Sequence, residues 1–106
     1  MKIAAIENLR TRQEELGQFF TAAPVAEFMA SMFGPLPRTV RLLDAGAGAG
    51  ALTAAFVSRC CEKRAGVRAI EATLYELDGA ILNALAATMR ECERRCSEAG
   101  SISRLK

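Results

Sequence analysis

The spacing of apolar positions changes several times along the chain, and each change predicts an element. Residues 5–16 carry alternating charges around Ile6, Leu9 and Leu16 and read as an amphipathic helix ended by Gly17. An extended segment, Gly17-Gln18-Phe19-Phe20-Thr21, comes next. A second helix is expected after Thr21, whose hydroxyl suits an N-cap, with Pro24 in the tolerated first turn. Its apolar residues Val25, Phe28, Met29, Met32 and Phe33 recur at i, i+3, i+4, i+7 and i+8, which predicts a core-facing stripe. Gly34-Pro35 ends this helix, and Pro37 keeps the chain irregular.

Residues 39–44 then read as a short buried strand, followed by the glycine-rich turn Gly46-Ala47-Gly48-Ala49-Gly50. A helix is expected over about 51–63, with Leu52, Ala55, Phe56 and Cys60 inward, and a loop containing Gly66 over 64–67. A second strand spans about 68–77, and Asp78-Gly79 breaks it, with Asp78 suited to cap the final helix. That helix, about 80–97, places Ile81, Leu82, Leu85, Met89, Cys92 and Cys96 on one face. The polar tail from Ser97 is expected to fray. Strands alternating with helices imply an α/β fold with a parallel strand pair and right-handed crossovers. A parallel pair alone leaves two open edges, so the chain is expected to self-associate through them, to be completed by another polypeptide, or to be only marginally folded.

Composition narrows the class without naming a function. The chain has 106 residues, 51% hydrophobic and 25% charged, with net charge +2, which suits one small globular domain. No apolar run reaches the roughly 18 to 20 residues of a membrane span, and the start Met1-Lys2-Ile3 leads into Glu7, Arg10 and Arg12. A cytoplasmic protein without a membrane partner is the expectation. The basic residues cluster at Arg59, Lys63, Arg64 and Arg68, and at Arg90, Arg94 and Arg95. These read as solvated helix faces, with a phosphate-contacting patch as the alternative. The four cysteines, at 60, 61, 92 and 96, lack the spacing of a zinc site. Cys60, Cys92 and Cys96 fall on apolar helical stripes and read as reduced core thiols. No metal site is assigned.

The chemistry concentrates at the glycine turn. Gly46-Ala47-Gly48-Ala49-Gly50-Ala51 between a strand and a helix satisfies the dinucleotide pattern, but such a match alone is weak. Asp44 stands two residues before Gly46, where a carboxylate repels a pyrophosphate at the helix N-terminus. The same carboxylate suits S-adenosylmethionine, which has no phosphate and carries a sulfonium and an α-ammonium. The glycines then allow close backbone approach to the ligand. Glu76, at the end of the second strand, is placed to accept hydrogen bonds from both ribose hydroxyls of an adenosine. It comes 32 residues after Asp44, where a dinucleotide loop expects an acid after about 20. About 38 residues precede the first strand, whereas a dinucleotide domain usually opens on it.

Taken together, Gly17-Gln18-Phe19-Phe20-Thr21, Pro24-Val25-Ala26-Glu27-Phe28-Met29, Leu42-Leu43-Asp44-Ala45-Gly46-Ala47-Gly48 and Tyr75-Glu76-Leu77-Asp78 resemble the N-terminal region of class I DNA adenine-N6 methyltransferases of restriction–modification systems. The resemblance covers roughly residues 8–100, and the Gly-Gln-Phe-Phe-Thr element is its specific part. It implies a partial Rossmann-like methyltransferase fold: two N-terminal helices, then β-α-β-α. It divides the chain into the N-terminal helix with its Gly-Gln-Phe-Phe-Thr segment (1–21) and a truncated S-adenosylmethionine-binding domain (22–106). Phe20 and Thr21 would hold the methionine end of the cofactor, with Asp44, Gly46, Ala47 and Gly48 lining it. Glu76 would bind the ribose, and Leu77 would pack on the adenine. Ala22 stands where this family usually has proline. The family's catalytic Asn/Asp-Pro-Pro-Tyr/Phe motif, which holds a flipped adenine, has no counterpart, because the prolines are at 24, 35 and 37. No catalytic residue is assigned, and DNA is expected as partner of the complete enzyme only. A methyltransferase segment acting on RNA, protein or a small molecule, and a non-catalytic interaction module, remain the alternatives.

Overall fold

A computed structural model describes residues 21–105; the helix expected over 5–16 and Phe20 lie outside that range. The described elements are α1 (Ala23–Ser31), β1 (Thr39–Ala45), α2 (Ala51–Cys60), a 3-10 turn (Lys63–Ala65), β2 (Ala69–Tyr75), α3 (Leu82–Glu98) and β3 (Ile102–Leu105). The strands form one parallel sheet in the order β1-β2-β3. Thr39 to Ala45 lie opposite Ala69 to Tyr75, and Ala69 to Ala72 opposite Ile102 to Leu105. This is a partial Rossmann-like α/β fold. Among the described residues no helix is long and apolar enough to cross a membrane.

The third strand corrects the expectation of a frayed tail and of a two-stranded sheet. Its cause is local. α3 ends in a Schellman turn, where Ser101 N–H donates to Cys96 O at 2.8 Å and Gly100 N–H to Ser97 O at 3.1 Å, with Gly100 at φ 78°. The reversal aims the chain back along β2, where Ser101 Oγ donates to Val67 O and Ile102 N–H to Arg68 O. One edge of β2 is thereby closed, and among the described residues the open edges belong to β1 and β3.

All three helices lie to one side of the sheet. Val40, Ile70, Phe56, Val57, Cys60, Cys92, Cys96 and Ala30 form one buried cluster. Each fully buried large aliphatic side chain of this kind contributes about 1.5–3 kcal/mol. The opposite face is open: Leu43 is 66% exposed, Tyr75 61% and Ile102 68%. Arg41, Glu71 and Arg104 stand side by side on it, all exposed. β1 is therefore a half-solvated strand with alternating burial rather than the buried one expected.

The α1 stripe is the largest departure. Ala26 and Ala30 are the buried residues of α1, whereas Val25, Phe28, Met29, Met32 and Phe33 are 39–66% exposed. The two alanines, one turn apart, form the buried side of α1, and Ala30 joins the core cluster with Phe56, Val57 and Cys60 of α2. Arg59 of α2 secures the arrangement by donating to Ala30 O, in the last turn of α1, at 3.2 Å and to Gly34 O, just past the helix, at 3.1 Å. Phe33 meets Phe56 edge to face, with ring centroids 4.8 Å apart. Thr21 is not the cap: Ala22 occupies that position, with no side-chain capping bond, and Pro24 lies in the first turn as expected.

Two smaller corrections concern α2 and α3. α2 stops at Cys60, and Cys61 and Glu62, expected to extend it, lead into the 3-10 turn that ends at the left-handed Gly66. Asp78, 2% exposed, does not cap α3. Its Oδ1 accepts from Ala80 N–H at 3.0 Å and closes the preceding turn, while Ile81 holds the cap position. Leu82, expected inward, is 47% exposed. Cys60, Cys92 and Cys96 are buried free thiols, and Cys61 Sγ lies 4.0 Å from Cys96 Sγ. Burial, reinforced by the neighbouring Cys61 sulfur, pushes Cys60 and Cys92 up to about 11 and Cys96 to about 12.

Candidate functional site

Because β1 and β2 run parallel in register, their carboxyl ends emerge side by side, with Ala45 opposite Tyr75. Ligands of open α/β sheets bind at this end. The loop leaving β1 is tied at once to its neighbour: Gly46 N–H and Ala47 N–H both donate to Tyr75 O at 2.8 Å. Gly50 N–H then donates to Ala47 O at 3.0 Å and brings the chain into α2. Gly46, Gly48 and Gly50 have φ of 76°, 58° and 90°, a region that glycine enters without strain. A Cβ on Gly50 would also lie 2.8 Å from Thr88 Cγ2 and 3.1 Å from Leu85 Cδ1, so α3 packs directly on the loop. A Cβ on Gly46 would meet nothing within 4 Å, which leaves that side of the loop open.

Two carboxylates flank this loop. Asp44, half-buried near the end of β1, accepts a hydrogen bond at Oδ2 from Thr53 Oγ1 at 2.7 Å. Glu76, the first residue past β2, accepts at Oε2 from Gly48 N–H at 3.2 Å. The long separation of the two acids in sequence is taken up by α2 and the 3-10 turn. A third tether comes from α3, where Thr88 Oγ1 donates to Ala49 O at 2.6 Å.

Asp44, Gly46, Ala47, Gly48 and Glu76 are thus brought together. Leu77, next to Glu76, is fully exposed, and Thr21 is half-buried two residues ahead of α1. The sequence pattern does not single out Thr53 and Thr88. Both occupy helical positions that an apolar residue would fill, Thr53 three before Phe56 and Thr88 three after Leu85, and that substitution is the available signal.

The polarity of the loop restricts its ligand. The amides of Gly46 and Ala47 are engaged by Tyr75 O, and that of Gly48 by the Glu76 carboxylate. A phosphate seeking loop amides would meet two acids and three donors already in use. Beside Asp44 opens a mostly apolar cavity of about 400 Å³, with Met29, Phe33, Leu42, Thr53 and Phe56 on its walls. The arrangement suits a ligand with a cationic end and hydroxyls to donate to a carboxylate. The basic clusters lie elsewhere: Arg59 holds α1, Arg64 pairs with Glu62 at 3.2 Å, and Arg94 pairs with Glu91 and Glu98 on its own helix.

No family model and no solved structure matches the chain. Two curated proteins do. The type II methyltransferase M.PstI of Providencia stuartii is 36% identical over 88 residues, 83% of this chain and 17% of that protein. The type II methyltransferase M.BsuBI of Bacillus subtilis is 40% identical over 62 residues, 58% of this chain and 12% of that protein. This chain spans less than one fifth of the length of either relative. With the glycine loop and paired acids at the carboxyl end of a parallel sheet, the chain is similar to one segment of the type II methyltransferases.

Proposed function

We propose that this chain supplies the S-adenosylmethionine-binding portion of a DNA adenine-N6 methyltransferase. The observation that carries the reading is the convergence of Asp44 and Glu76 on a glycine loop whose first three amides are internally bonded. Such a loop favours a ligand without phosphate and with positive charge, and the relatives are methyltransferases by name.

In this reading Asp44 faces the cationic amino-acid end of the cofactor and Glu76 accepts from the ribose hydroxyls. Gly46, Ala47 and Gly48 admit the ligand to the backbone, and Leu77, fully exposed, covers the adenine. Thr21, with Phe20, borders the methionine end. When bound, S-adenosylmethionine supplies a methyl group activated by its sulfonium. The residues of this chain bind and orient it, and proximity is their contribution to rate. DNA contacts and the Pro-Pro motif come from polypeptide outside these residues. The outer edges of β1 and β3, which pair with no strand among the described residues, and the open sheet face support docking of that polypeptide.

Calorimetric titration of the pure chain with S-adenosylhomocysteine tests the reading. Saturable binding to one site is expected, weakened at least tenfold by Asp44→Ala and by Glu76→Ala, about the effect of losing a hydrogen bond to a charged group. No heat of binding from a chain with intact circular dichroism would refute it.

A further inference from the structure

We propose that Thr53 is a positioning residue of this site, fixing the Asp44 carboxylate for the amino-acid end of the ligand. The inference rests on the cofactor reading above and assigns a role to a residue outside the glycine loop and its two acids.

Thr53 lies in the first turn of α2 and is 1% exposed, as buried as the apolar residues around it. Its neighbours on the buried face are Phe56, Val57 and Cys60. A buried hydroxyl is costly unless it is bonded, and valine has the same shape without that cost. The hydroxyl is accounted for by one contact, the 2.7 Å bond to Asp44 Oδ2. Bonds to a charged acceptor are the short, strong ones. Asp44 is half-buried at the wall of the 400 Å³ cavity, and two torsions would otherwise let its carboxylate turn. Pinning Oδ2 fixes the carboxylate plane, and Oδ1, which accepts no hydrogen bond from another described residue, remains to receive an ammonium group. The ligand then meets an acceptor already oriented, which reduces the ordering cost of binding. The neighbouring Thr88 hydroxyl turns to a backbone carbonyl of the loop, so the two threonines divide the work: Thr88 holds the loop and Thr53 holds the acid.

The test compares two ligands that differ at one end. S-adenosylhomocysteine carries the amino-acid tail, and 5′-methylthioadenosine lacks it. Each is titrated calorimetrically into the parent chain and into Thr53→Val, Thr53→Ser and Asp44→Asn. Thr53→Val is expected to weaken S-adenosylhomocysteine roughly tenfold, the range for a lost bond to a charged group, and to leave 5′-methylthioadenosine within about twofold. Thr53→Ser restores the hydroxyl and is expected to bind the tailed ligand within about threefold of the parent. In the Asp44→Asn background Thr53→Val should add little, because the two residues act as one unit. Equal weakening of both ligands would mean a purely structural role and overturns the inference, as does unchanged binding of the tailed ligand. If Thr53→Val fails to unfold cooperatively, Thr53→Ala takes its place, with the same ligand pair and the same expected and overturning results. A parent chain that binds neither ligand refutes the cofactor reading itself, which keeps the two failures distinct.

Discussion

At Gly50 two independent constraints meet. Its φ of 90° is left-handed, and α3 leaves no room for a methyl group, with Thr88 Cγ2 2.8 Å from where a Cβ would stand. Gly50→Ala is expected to destabilise the chain by about 2–4 kcal/mol, from backbone strain and overpacking together, as read from chemical denaturation. Gly46 shares the left-handed backbone but faces open space, so Gly46→Ala should cost only the strain, about 1 kcal/mol, and act mainly on ligand affinity. A smaller loss at Gly50 than at Gly46 would contradict the packing described. The requirement for glycine was legible from the strand–turn–helix spelling. That Gly50 faces a helix and Gly46 faces solvent was not, since the contact comes from Leu85 and Thr88, far along the chain.

At the scale of elements, helix and strand identities followed from periodicity, and their boundaries shifted by a few residues. The α1 stripe shows where periodicity stops being informative. It correctly marks a helix with one apolar face, but Ala26 and Ala30 are buried while Phe28 and Met32 are exposed. Small residues carry little weight in a hydrophobic pattern and much in how closely two helices approach. β3 escapes the pattern for the opposite reason: four residues are too few for alternation to register, and the Schellman turn at Gly100 is the stronger sign. The contact between α2 and α3 carries a pH signature. Cys60, Cys92 and Cys96 keep their protons to about 11 or 12 in the folded chain, against an ordinary value of 9.0. The unfolded chain therefore releases these protons first. Stability is fully present below about pH 9 and is lost as pH rises toward about 11 and beyond. Denaturation midpoints should hold level from about pH 8 to about pH 9 and fall from there to about pH 11, and a variant with Cys60, Cys92 and Cys96 replaced by alanine should lose that slope. An unchanged slope in the variant would assign the pH dependence to other groups.

At the scale of the molecule, the chain is a one-sided sheet. Parallel sheets are normally covered on both faces, and here helices cover one while Leu43, Tyr75 and Ile102 stand open on the other. The exposed residues of α1 add to the uncovered apolar surface. Sedimentation velocity of the pure chain at micromolar concentration is expected to show species heavier than the 11.4 kDa monomer. A monomer that unfolds in one cooperative step would show that the open surface needs no cover.

The sequence by itself determined the alternation of strands and helices, the position of the glycine loop and the identity of its two acids. Each of these is written in residues close together or in a motif of fixed spelling. Only the tertiary structure decided that the loop amides are engaged by Tyr75 and Glu76, that Thr53 and Thr88 hold Asp44 and the loop, and that the bulky stripe of α1 stays part-exposed with Met29 and Phe33 on the cavity wall. Those outcomes depend on which distant segments become neighbours. A side chain's pattern along the chain says which face it shares, and only packing says whether that face is covered.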